Sequence, residues 1–139
     1  MIEVNYLGVL FAAIVSMGVG FLWYGPILFA KPWMKLMGYT AESLKKEQAQ
    51  MGKTYAISFL LALVTAYVLS HVMSLSAYFY QTDAVMTGLT SAFWMWLGFV
   101  MPVQATEVMF GGKKFALFAI NTGYQFFSLL VMGLVLGLV

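Results

Sequence analysis

Four long apolar runs limit what this chain can become. They cover residues 4–29, 55–73, 84–110 and 115–139. A helix needs about 20 apolar residues to cross a bilayer, at roughly 1.5 Å of rise each, and every run is near or above that length. The longer ones leave room for tilt, a kink or emergence from the hydrocarbon. In lipid the backbone must satisfy its own polar groups, so a few long runs mean helices. Composition agrees. With 63% hydrophobic and 9% charged residues, against roughly 25% charged in a typical soluble domain, the chain cannot build a water-facing surface. The expected fold is all-α: one membrane domain over 1–139, an integral four-helix bundle with a short cytoplasmic helix between its first two spans.

The first run differs from a signal peptide. Glu3 stands where a basic leader would be, and Trp23, Tyr24 and Pro26 follow instead of a small-residue cleavage site. It is expected to be a retained span.

Every cation is a lysine, and position makes them informative. Lys31, Lys35, Lys45, Lys46 and Lys53 fall between the first two runs, and Lys113 and Lys114 between the last two. The connection at 74–83 has none. In a four-span serpentine the first and third connections share one side, so all seven lysines do. The positive-inside rule makes that side cytoplasmic and puts both termini outside. A net charge of +2 gives no basic patch for nucleic acid. With no cysteine, disulfides and thiolate metal sites are excluded.

The lysine-rich connection, 31–53, is the only sizeable polar stretch. Thr40 can cap a short helix with Glu42 in its first turn. Trp33, Met34, Leu36 and Met37 precede it and could enter the headgroup layer beside Lys31 and Lys35. The stretch reads either as a solvated connector or as a docking site for a protein partner or anionic lipid.

Hydrophobicity does not drive association inside lipid; close backbone packing does. Gly8, Ala12, Ser16 and Gly20 form a stripe at four-residue spacing, as do Ala62, Ala66, Ser70 and Ser74. Gly133 and Gly137 lie at the far end of the last run and are the expected contact between copies in a homo-oligomer.

Glu107 is the one carboxylate within an apolar run, with Gln104 one turn before it and Pro102 freeing a carbonyl nearby. Asn121, Gln125 and Ser128 share a face of the last run. Antiparallel packing would bring Glu107, Gln104, Asn121 and Gln125 together near the cytoplasmic boundary, with Tyr24, Tyr55 and Ser58 at a similar depth. Such a cluster could bind a cation, a proton or a lipid headgroup. The alternative is that Glu107 has already reached water. His71 stands alone, too few ligands for a metal site; an interfacial hydrogen bond suits it better. Asp83 fits a helix cap. Trp94 and Trp96 lie deep enough to need partners for their indole N–H groups. No phosphate loop, HExxH motif or nucleophile elbow is present, and no cofactor is implied.

Three segments carry a family likeness. They are Phe21-Leu22-Trp23-Tyr24-Gly25-Pro26-Ile27-Leu28-Phe29 with Lys31 and Trp33-Met34; Trp96-Leu97-Gly98-Phe99-Val100 with Pro102; and Leu117-Phe118-Ala119-Ile120-Asn121-Thr122-Gly123-Tyr124-Gln125 with Met132-Gly133. In order and spacing the chain resembles the bacterial membrane family called domain of unknown function 1761. The resemblance implies a four-helix inner-membrane protein and brings no catalytic residues with it. It also implies a small residue where Thr122 stands and Asn near Glu107, which moves attention from Glu107 to Asn121, Tyr124, Trp23, Tyr24 and Pro26.

The expected role is non-enzymatic: an oligomeric structural, accessory or lipid-interacting membrane protein. A small transporter or channel is the alternative, and would need a continuous polar path. A membrane enzyme fits least.

Overall fold

The computed structural model describes residues 2–139. Six helices account for nearly all of them: α1 (Tyr6–Trp23), α2 (Ala30–Met37), α3 (Ala41–Ala49), α4 (Met51–Tyr80), α5 (Ala84–Phe110) and α6 (Phe115–Leu138). Among the described residues there is no strand. The helices α1, α4, α5 and α6 are long and apolar enough to cross a membrane. Their outward faces carry large apolar side chains, such as Leu60, Leu61, Val64, Phe99 and Met109, as lipid-facing surfaces require.

Local chemistry sets the ends. The Asn5 side chain accepts a hydrogen bond from Gly8 N at 3.1 Å and starts α1. Pro26 has no N–H to continue a helix, so α1 stops at Trp23 rather than running to residue 29. The chain then doubles back, with Leu28 N and Ala30 N both donating to Gly25 O. Thr40 caps α3 through a reciprocal box with Ser43. Asp83 Oδ1 caps α5, accepting from Met86 N at 3.0 Å.

Two boundaries differ from the sequence reading. The connection at 31–53 forms two short helices, α2 and α3, divided by Gly38 in the left-handed conformation at φ 72°. The connection expected at 74–83 is helical as far as Tyr80, because nothing before Gln81 breaks the run.

The four long helices pack as a ring: α1 lies against α4 and α6, and α5 against α4 and α6. Neighbours are antiparallel. Tyr6 stacks on Tyr67 and Phe21 meets Tyr55 along α1 and α4, while Ser91 of α5 reaches Ser76 of α4. Both termini therefore lie at one end of the ring. All seven lysines lie at the other, every one exposed.

The half that holds the termini is a close-packed apolar core of Val9, Ala12, Ala66, Leu69, Met73, Ala92, Leu129 and Met132. Here α5 and α6 approach at backbone contact. A Cβ on Gly88 would lie 2.1 Å from Gly133 O, and one on Gly137 would lie 2.6 Å from Ala84 O. Gly133 and Gly137, expected as a contact between copies, pack against α5 of the same chain. The stripe of Gly8, Ala12, Ser16 and Gly20 also faces inward, with Ala12 and Ser16 fully buried and Gly8 near Leu136.

Midway along α5, Trp96–Val100 forms a π-turn in which Met101 N bonds to Trp96 O, five residues back. Pro102 lacks its N–H and crowds the carbonyl four residues earlier. The wider turn is how the helix continues through it.

Candidate functional site

The three signature segments converge on one stretch of α6. Trp23, the last residue of α1, donates from its indole N–H to Ile120 O at 2.9 Å. Its ring passes over Gly123, where a Cβ would sit 3.0 Å from Trp23 Cζ2. The Tyr124 ring in return covers Gly20, whose added Cβ would lie 3.1 Å from the phenol oxygen. Each helix thus offers a glycine to the other's aromatic ring. Trp96, in the π-turn of α5, donates to Thr122 O at 2.9 Å.

Tyr24 follows the last residue of α1, and its hydroxyl donates to Asn121 Oδ1 at 2.8 Å. Burial, and then the neighbouring Tyr124, pushes the Tyr24 phenol above its ordinary value. It stays protonated and neutral at physiological pH, as a donor must. Trp33 of α2 lies edge-on to Tyr24 at 5.3 Å, and Tyr39 closes on Trp33 at 5.4 Å. The apolar face of α2 therefore folds back over the Tyr24–Asn121 pair, while Lys31 and Lys35 stay exposed.

Tyr124 is the hinge between this pair and a cavity. Its ring meets Tyr24 at 5.3 Å. It also lines a cavity of about 210 Å³ between α1, α4 and α6, with Ser16, Ser58, Leu61, Ala62, Thr65, Gln125, Ser128, Leu129 and Met132. Ser16 and Thr65 each bond to a backbone carbonyl in the preceding turn, Ala13 O at 2.8 Å and Leu61 O at 3.1 Å. Leu61 is 62% exposed on the outer face of α4, so the cavity meets the lipid side of the ring. Counting along α6 from Phe115, Ser128 lies roughly 20 Å into the span. The polar groups thus reach the middle of the candidate spans.

The structure divides the expected polar cluster. Tyr24, Asn121 and Tyr124 come together, and Tyr124, Gln125 and Ser16 meet at the cavity. Glu107 takes no part; it is exposed near the end of α5, where only Val108, Met109 and Phe110 separate it from the turn. Gln104 is half-buried, and its Oε1 is a buried oxygen with no hydrogen-bond partner, as is Thr122 Oγ1. Ser58 lies four residues before Ala62 and so continues the small-residue stripe of α4, whereas Thr65, one residue from Ala66, lies beside it and carries no signal in the sequence.

His71 sits on its own helix, with Nδ1 3.1 Å from Tyr67 O and the two rings 4.5 Å apart. Among the described residues no group of three His, Asp or Glu side chains is placed to hold a metal. Trp94 is 64% exposed. It lines a groove of about 570 Å³ between α4 and α5 with Val72, Ser76 and Met86. What the cavity offers chemically is hydrogen bonding: five hydroxyls and one amide, with no nucleophile paired to a base.

Comparison with curated proteins finds no match, and comparison with solved structures finds none. Residues 7–137, nearly the whole chain, match the family described as Protein of unknown function (DUF1761), and the chain belongs to that family.

Proposed function

We propose that this protein binds an amphipathic molecule from the bilayer, with the molecule's polar part in the cavity between α1, α4 and α6. It does so as a non-enzymatic membrane protein. The observation that carries this reading is a polar cavity at mid-depth, built from three spans and meeting lipid at Leu61. Buried polar side chains in a span are costly unless they are hydrogen-bonded, by the protein or by a ligand. What favours binding over conduction is the close-packed apolar half beyond the cavity. There the backbones of α5 and α6 touch, and a continuous polar path would have to break that contact.

The test is native mass spectrometry of protein released from native-like membrane particles. A stoichiometric small molecule should leave with the wild type and be lost from Gln125→Leu. Ligand-free release of a well-folded wild type would overturn the reading.

The lysine-bearing end belongs, in this proposal, in the cytoplasm, with both termini outside. A cysteine at Lys46 should be shielded from an impermeant thiol reagent in intact cells, and one at Thr82 should react. The reverse labelling would invert the orientation. Self-association would use lipid-facing surfaces, since Gly133 and Gly137 are occupied within the chain. A protein partner would meet α3, because α2 is held against α6.

A further inference from the structure

The walls of the cavity carry no charge. Ser16, Ser58, Thr65, Tyr124, Gln125 and Ser128 are neutral at physiological pH, and the remaining walls are aliphatic or thioether. None of the chain's lysines or carboxylates lines it. An ion placed there would lose its water shell and meet no counter-charge, which is unfavourable at this depth. A primary amide and a free hydroxyl, by contrast, both donate and accept, and Ser16 and Thr65, whose protons go to Ala13 O and Leu61 O, are left to accept. They match a head made of hydroxyl and ester carbonyl groups. The volume suits the head of one amphipath rather than a whole lipid, and the exposed Leu61 at the rim leaves the chains in the bilayer.

From this we infer that the ligand is an uncharged lipid with a glycerol-ester head, and that phosphate-bearing lipids are excluded from the cavity. The inference rests on the binding reading above and adds the ligand's chemistry.

The experiment compares two lipids that share their acyl chains and differ by one phosphate. Purified protein in phosphatidylcholine nanodiscs is titrated with 1,2-dioleoylglycerol or dioleoylphosphatidic acid, and the retained lipid is counted by native mass spectrometry. One dioleoylglycerol per chain is expected, held at least about 10-fold more tightly than phosphatidic acid, a difference of about 1.4 kcal/mol. Gln125→Leu should abolish that preference. Thr65→Val, a milder change at the exposed rim, should weaken dioleoylglycerol retention without altering the elution profile. Retention of phosphatidic acid as tight as that of dioleoylglycerol, and lost in Gln125→Leu, would overturn the uncharged head and leave the binding site standing. Retention of neither lipid, or retention that both variants leave unchanged, would remove the cavity as a lipid site altogether.

Discussion

Gly88→Ala is expected to be the most damaging single-methyl change in the protein. The new Cβ would stand 2.1 Å from Gly133 O, against a backbone that cannot rotate away. The two helices would have to separate, and the packing of Ala92, Leu129 and Met132 around them would open. Overpacking of this kind costs about 3 kcal/mol at the upper end of its usual range. In detergent the variant should show an apparent melting temperature lower by roughly 10 °C and a smaller monodisperse fraction. Gly18→Ala is the control: nothing lies within 4 Å of a Cβ there. Alanine's better helix propensity makes that change neutral or stabilising, by up to about 1 kcal/mol. If both variants melt with the wild type, the α5–α6 contact is not as close as described.

Trp23→Ala is the second. It removes the ring that fills the space over Gly123, its contacts with Phe29 at 4.8 Å and Phe127 at 5.4 Å, and the bond to Ile120 O. Large aromatic-to-alanine changes in packed sites cost about 3–5 kcal/mol. Trp23→Phe separates the parts. It keeps most of the ring and loses the N–H, for about 1 kcal/mol, the usual net value of one hydrogen bond. Trp94→Ala, at a lipid-facing position, should stay within about 0.5 kcal/mol of wild type. Equal losses at Trp23 and Trp94 would mean that the indole lock on α6 carries no special weight.

Much of the fold is legible in the sequence because lipid permits few structures. The four spans, the single lysine-bearing side and the caps at Thr40 and Asp83 all follow from local patterns with one physical solution. Less legible is which neighbour a small-residue stripe faces. Gly133 and Gly137 announce close approach, but their partners, Gly88 and Ala84, lie about 50 residues away. Pro102 signals a disturbed helix without saying whether the backbone will kink or widen, and the π-turn is one answer among several.

The site was legible in its parts and not in its assembly. Tyr24, Asn121 and Tyr124 were singled out by depth and motif, and depth alone brings them near each other. Glu107 drew attention because a carboxylate in an apolar run is expensive. Its exposure takes it out of the cluster it was expected to join. The cavity was hidden for a different reason. Ser58 shares the depth of the polar cluster, but it and Thr65 gain meaning only opposite Gln125 and Ser128, a relation set by how α4 leans on α1 and α6.

The placement of the lysines has a practical consequence. With no arginine in the chain, every bond that trypsin can cut lies at one end of the helix ring. Vesicles sealed with that end inside should resist the protease entirely. Those sealed the other way should release α4 and α5 together as one uncut hairpin, since no site falls between Lys53 and Lys113.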